Sequence, residues 1–378
     1  MNKPKVLIIA ASSLHNGPRM IREIDALKRF YEITAVGCTP PHDPMIAYVS
    51  TKEINPLIDR VIRKLYSVVT GGNVFRGRAY FSERAMHHVL DKIQPQYVIV
   101  HNPIFFPGVF SYKKRRFKVI YNAHEYHPLE FDEDKKWLNT WGRYYTDLYK
   151  EYLGKVDLLI NVCESIAEKC EEEFGKKSLV IPNAAIYCPD IKPAQSKDPG
   201  KVRIIHHGAA VRGRNIESMI EAVQLLGIGY HLDLMLMTND KAYFDELKRH
   251  VENTDNVNLI NPVAFDKIVS FINQYDIGIY NLPPTNFNNR IALPNKFFEF
   301  IQARLCIVIS PSIEMQKIVE KYKLGIVTGG FNAEAFYRAI KGISFNDIKN
   351  YKENADKAAF ELSAEHYRDK LLEALKTI

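Results

Sequence analysis

Short unbroken apolar runs recur along this chain, separated by longer stretches in which apolar residues return at helical spacing. A strand buried on both faces reads as a continuous apolar run, whereas returns at i, i+3 and i+4 mark a helix with one buried face. On this basis the first half predicts strands over 5–11, 32–37, 97–101, 118–122 and 158–162, with helices over 17–29 and 83–93. The stretch 182–200, PNAAIYCPDIKPAQSKDPG, breaks the pattern. It is rich in proline and polar residues, has no helical period, and reads as a connection. Alternation then restarts, with strands over 202–206, 232–237, 257–260, 277–280, 305–310 and 326–327. Helices are predicted over 216–225, 240–252 and 265–274, another opens after Pro294, and the tail 346–377 is helical and charged.

This alternation predicts α/β architecture: two Rossmann-like domains, each a parallel sheet covered by helices, facing across a cleft. A chain of 378 residues exceeds what one core usually supports. The boundaries follow the composition: a domain over 1–185, a linker over 186–200, a second domain over 201–355 and a C-terminal helix over 356–378. Ligands of such sheets bind outside the carboxyl ends of the strands. Apolar residues at 46% and charged residues at 25% are ordinary for a soluble protein. The apolar run 6–11 is too short to span a bilayer and has no signal-peptide cleavage pattern behind it. The five cysteines form no CxxC pair and read as reduced thiols of a cytoplasmic protein.

Net charge is +7 but unevenly placed, since residues 1–120 hold 19 Lys and Arg against 8 Asp and Glu. A basic first half predicts an anionic partner. Arg60, Arg63 and Lys64 lie in a mixed apolar and basic segment, and Lys113, Lys114, Arg115 and Arg116 form the run YKKRRFK. Such segments suit peripheral contact with the inner face of an anionic membrane; a solvated basic surface accounts for the same charge. Nucleic acid would also suit the charge, but no binding motif accompanies it.

Three segments carry candidate chemistry. In ALPNKFFEFIQA, Pro294 opens a helix whose first turn holds Asn295, Lys296 and Glu299. Free amides and the positive dipole end make an anion site there, and Lys296 adds a full charge, as a diphosphate requires. Glu299 lies on nearly the same face and can accept hydrogen bonds from a ribose diol. In HHGAAVRGRNIES, Gly208 allows close backbone approach, and Arg212 and Arg214 precede a helix beginning near Asn215. Guanidinium forks grip pairs of phosphate oxygens. In NAHEYHP, His124 and Glu125 follow an apolar strand and therefore sit at the sheet's carboxyl edge. HEYH is not a zinc motif, because its histidines are three apart before a proline, and no Asp-x-Asp cluster is present. No metal or other cofactor is implied. Neither half carries GxGxxG or a Walker A loop, so dehydrogenase and NTPase readings lose most of their support.

Together these segments resemble the GT-B glycosyltransferases, and more narrowly the retaining family-4 group, over nearly the full length. The resemblance implies that the second domain binds a nucleotide-sugar, the first binds a glycan or lipid-linked acceptor, and a C-terminal helix crosses back onto the first. It places Glu299 at the ribose, Arg214 at the second basic phosphate position and His124 beside the donor sugar. Gly17 matches the loop that approaches sugar and phosphate. Two positions depart from the family pattern: the first of its paired glutamates falls at Ile291, and its first basic residue at Ala209, for which Arg212 can reach over. The implied reaction is metal-independent, retaining transfer from a UDP-sugar in bacterial surface polysaccharide or glycoconjugate synthesis. A UDP-N-acetylglucosamine 2-epimerase-like enzyme and a non-catalytic nucleotide-sugar-binding partner share the architecture.

Overall fold

The computed structural model describes residues 3–15, 17–55, 82–194, 200–238 and 240–378. The chain divides into two compact units. The first comprises Met1–Pro182, Asn286–Asn288 and Arg368–Ile378; the second comprises Asn183–Thr285 and Asn289–Tyr367.

The first unit is built on a seven-stranded sheet. Its strands are β1 (Lys5–Ile9), β2 (Glu32–Gly37), β3 (Ala47–Ser50), β4 (Tyr97–Val100), β5 (Lys118–Asn122), β6 (Leu158–Asn161) and β7 (Leu179–Val180). They run parallel in the order β3-β2-β1-β4-β5-β6-β7. Residues 6–9 are buried on both faces, as their unbroken apolar run predicts. Helix α1 (Pro18–Leu27) starts on a proline, whose missing N–H has no intrahelical partner to lose. It buries Met20, Glu23, Ile24 and Leu27. Three of these are ordinary core residues, and the fourth is a carboxylate.

The second unit holds a six-stranded parallel sheet: β8 (Val202–Ala209), β9 (Tyr230–Met237), β10 (Val257–Ile260), β11 (Ile277–Tyr280), β12 (Cys306–Ile309) and β13 (Gly325–Val327). Its order is β10-β9-β8-β11-β12-β13. Two helices bear on the site, α2 (Ile216–Leu226) and α3 (Asn295–Gln302). In both sheets the strand order reverses beside the first strand, between β1 and β4 and between β8 and β11. Crevices at such switch points are where open α/β sheets bind ligands.

Helix α4 (Ala364–Thr377) ends within the first unit, where Leu371 and Leu375 join Val6, Ile8, Ile99 and Ile120 in one core. Four expectations differ in detail. β8 runs three residues past its apolar run, because His206 and His207 are buried in register with Leu234 and Met235. The helix expected over 265–274 is a 3-10 turn, Phe265–Lys267, leading into Ile268–Ile272. The tail is two helices, Phe345–Ala358 and α4, rather than one. Strands β3 and β7 were not predicted; neither has a buried residue. No helix among the described residues is long and apolar enough to cross a membrane.

Candidate active site

The second unit gathers four of the sequence-predicted residues at the end of β8. Gly208 has φ +117°, a backbone conformation that L side chains rarely adopt. A Cβ at this position would lie 3.0 Å from Lys296 Nζ, 3.2 Å from its Cε and 3.9 Å from Arg214 Nη1. The missing side chain is therefore what lets two cations converge on one stretch of backbone. Arg214 Nη1 donates to the Ala209 carbonyl at 2.8 Å. Lys296, on the first turn of α3, is buried, with Nζ 4.5 Å from the Tyr280 ring centre and 3.5 Å from His206 Nε2. Glu299 is buried one turn further along.

The electrostatics of this cluster favour an anion. Burial pushes the Lys296 pKa well below its ordinary value and Arg214 adds to the push, with Glu299 opposing. Two cations held together in a partly dehydrated site are relieved by an incoming negative group. His206 and His207 are buried on β8. His206 is held well below its usual range by burial, then by Lys296. Burial and Lys296 bring His207 down to about 3, even though its Nε2 lies 3.4 Å from Glu299 Oε2. That Nε2 makes no aligned hydrogen bond, so the nearby carboxylate does not offset burial.

The remaining second-unit residues are placed differently. Asn215 caps α2 with φ +47°, and its Nδ2 donates to the Phe331 carbonyl at 3.0 Å, fixing a loop. Arg212 turns to the surface, where its guanidinium forks onto Glu246 at 2.6 and 2.9 Å and stacks 4.7 Å from the Tyr243 ring centre. The structure does not bring it to the Gly208 cluster. Pro294 is the residue before α3, in extended conformation, and Asn295 opens the helix.

In the first unit, His124 follows β5 and is partly buried, whereas Glu125 is exposed. His124 Nε2 lies 2.7 Å from Nδ1 of His101, and His101 Nε2 lies 2.6 Å from Glu23 Oε2. Glu23 Oε1 accepts from Asn122 Nδ2 at 2.6 Å, and Asn122 Oδ1 accepts from Arg19. Burial works to raise the Glu23 pKa, but His101, Arg19 and Asn122 together hold it below the usual carboxylate value. Burial, then Arg19, His101 and His127, hold His124 well below the usual imidazole range, so it is neutral at pH 7. Gly17 precedes α1, and a Cβ there would meet the Ser13 carbonyl at 2.9 Å.

Sequence reasoning missed Arg19, Glu23, His101, Asn122, His206 and His207. Two signals were available. His101 ends an apolar strand just as His124 does, and Glu23 interrupts the apolar stripe Met20–Ile24–Leu27 of α1. Of the basic residues, Arg60, Arg63 and Lys64 lie outside the described residues. Lys113, Lys114 and Arg116 are exposed. Lys114 pairs with Asp91 at 3.0 Å, and Arg115 pairs with Asp157 at 2.9 Å while lying over the Phe110 ring.

Residues 21–185 match the family model described as Glycosyltransferase Family 4. No curated protein matches the sequence. Among solved structures, a glycosyltransferase from Rickettsia africae is similar at TM-score 0.73 and 12% identity, over 100% of this chain and 99% of that one. A TarM mutant from S. aureus, in complex with fondaparinux, alpha-GlcNAc-glycerol and UDP, is similar at TM-score 0.66 and 11% identity, over 99% of each chain. A trehalose-6-phosphate protein from E. coli bound with UDP-2-fluoro glucose gives TM-score 0.65 and 13% identity, again over 99% of each chain. The chain has the GT-B fold, and its first unit matches a glycosyltransferase family. The family match spans strands β2 to β7 and ends before the second sheet. The cluster around Gly208 lies outside that match.

Proposed function

We propose that the protein is a glycosyltransferase that moves a sugar from a UDP-sugar to a glycan or lipid-linked acceptor, without a metal ion and with retention of anomeric configuration. The observation that carries the reading is the convergence of Lys296 and Arg214 on Gly208, with Glu299 a turn away. A departing nucleoside diphosphate gathers negative charge as the glycosidic bond breaks, and preorganised cations stabilise that charge most where water is excluded. Lys296 and Arg214 supply this stabilisation, and Glu299 accepts from the ribose hydroxyls. Charge neutralisation by two side chains leaves a divalent cation no task, so turnover survives EDTA. The acceptor oxygen attacks the anomeric carbon on the face the diphosphate leaves, and its proton passes to a departing phosphate oxygen. His124, neutral at pH 7, orients a sugar hydroxyl. The UDP and UDP-sugar held by two structurally similar proteins support uridine as the nucleoside.

Exposed Lys113, Lys114 and Arg116 support a lipid-linked acceptor presented at an anionic membrane surface in surface polysaccharide synthesis. The deciding experiment incubates purified protein with UDP-, GDP- and ADP-sugars and lipid-linked or soluble acceptors, following nucleotide release and product anomery by NMR. UDP-sugar consumption that depends on acceptor is expected. No turnover of any sugar nucleotide would overturn the proposal.

A further inference from the structure

Hydrogen bonds around His124 form a chain with one consistent direction when each imidazole carries a single proton. It starts at Arg19, whose guanidinium has donors and no acceptor. The Asn122 atom facing Arg19 must therefore be its carbonyl Oδ1, which leaves Nδ2 to donate to Glu23 Oε1. The Glu23 carboxylate can only accept, so at its other oxygen, 2.6 Å away, His101 Nε2 carries the hydrogen. With one proton on the ring, His101 Nδ1 is then a bare lone pair. His124 Nε2, 2.7 Å from it, must carry the hydrogen in turn. The last atom of the chain, His124 Nδ1, is left unprotonated, and it has no partner among the described residues.

One arginine and one carboxylate already balance, and the groups facing the two imidazoles are Arg19, Glu23, Asn122 and His127. Glu23 and His101 are almost fully buried, with side chains 4% and 3% exposed.

We propose that Arg19, Asn122, Glu23 and His101 are positioning residues that lock His124 in its Nε2–H tautomer, so that Nδ1 accepts a hydrogen bond from a substrate hydroxyl. The proposal rests on the functional reading above for the hydroxyl alone; the tautomer is a property of the protein itself. None of the four residues needs to touch substrate. Each acts by dictating where the one mobile proton on His124 sits.

The chain makes a specific reversal testable. In Glu23→Gln, Asn122 still donates to the amide oxygen, so the amide NH2 now faces His101 Nε2 and donates to it. His101 then carries its hydrogen on Nδ1, donates to His124 Nε2, and forces the hydrogen of His124 onto Nδ1. Long-range proton–nitrogen correlation spectra of histidine-labelled protein read this directly. Wild type is expected to show His124 as Nε2–H and Glu23→Gln to show it as Nδ1–H. The variant should also lose at least about tenfold in kcat/KM, as loss of a hydrogen bond that orients the substrate hydroxyl implies. In a His124→Ala background Glu23→Gln should cost nothing further, which a merely structural role would not produce. A hydrogen on His124 Nδ1 in wild type overturns the chain, and that measurement holds even if the variant fails to fold. Full turnover by His124→Ala overturns the assignment of His124 to the substrate. The two failures are separable, because the spectrum requires no turnover.

Discussion

Lys296 Nζ stands 3.0 Å from where a Cβ on Gly208 would lie, so the lysine fills the space that the glycine leaves empty. Gly208→Ala would push the ammonium out of its place and force alanine into φ +117°. Backbone strain of this kind costs about 1–3 kcal/mol. We expect UDP affinity to fall at least about tenfold, together with a lowered melting temperature, in calorimetric and thermal-shift measurements. An alanine variant that binds UDP as wild type does would show that the cations are not gathered around this backbone for the diphosphate.

Lys296→Ala and Arg214→Ala should each reduce kcat/KM about a hundredfold, the usual loss when one donor to a developing anion is removed. Arg212→Ala, by contrast, removes a surface pair with Glu246 and should leave kcat/KM within about twofold. Steady-state rates of the three variants test the assignment. Equal losses in all three would mean that Arg212 leaves its surface partner to reach the donor.

Glu299→Ala should weaken binding of UDP but not of inorganic pyrophosphate, since the carboxylate is assigned to the ribose. Charge-assisted hydrogen bonds contribute about 1.5–3 kcal/mol, so about ten- to a hundredfold in dissociation constant is at stake. Titration calorimetry with both ligands separates ribose recognition from a general loss of the site. Equal weakening for the two would return Glu299 to a structural role beside His207.

Three buried histidines and the partly buried His124 fix the direction of the acid response. Burial holds His127 down to about 4 and His207 to about 3, and lowers His124 and His206 as well. Unfolded, each would take up a proton near pH 6.5. Below that pH the unfolded chain binds more protons than the folded one, so stability falls as pH drops through about 6.5 towards the folded values. Each histidine contributes up to about 1.4 kcal/mol per pH unit in that window and nothing above it. Glu23, held low, adds loss in the same direction only below about 4.5. Urea midpoints should be level from pH 8 to about 7 and decline by pH 5.5; a flat profile down to pH 5 would contradict the buried neutral rings.

At the surface, Lys113 and Arg116 are the residues to reverse, because Arg115 is engaged with Asp157 and Lys114 with Asp91. The protein should co-sediment with phosphatidylglycerol liposomes at low salt and be released as salt is raised. The double reversal to Glu should weaken attachment by about 2 kcal/mol or more, at roughly 1 kcal/mol for each basic residue near an anionic surface. Absence of binding by wild type at low salt would move the acceptor from lipid to soluble glycan.

The fold was legible where short, largely apolar runs are set off by polar residues or turns. Strands β2, β5, β10 and β11 begin and end where the pattern predicts, because each is bounded by a change in polarity. β3 and β7 were passed over although both carry apolar residues, because each is a short edge strand without a buried residue. The donor cluster was half legible: Lys296 and Glu299 share one helix turn, which spacing reveals, while the gap they fill depends on the backbone angle of Gly208. Arg212 illustrates the limit, since a guanidinium near a loop can turn either way, and here Glu246 decides it. The histidine chain was illegible because Arg19, Glu23, His101, Asn122 and His124 come from three elements. Only the sheet order, with β1 beside β4 and β4 beside β5, brings those elements together.

Leu371 and Leu375 belong to the same core as Val6 and Ile99, yet the entire second unit intervenes in the sequence between Pro182 and Arg368. On the ribosome, the first unit's strands would emerge long before the two leucines that complete their packing. The second unit, contiguous but for three residues, has every one of its own strands before α4 is made. The later-synthesised unit is thus free to finish first, and the earlier one must wait with an apolar face uncovered. A nascent chain stalled before residue 371 would therefore be a ready client for chaperones that grip exposed aliphatic surface.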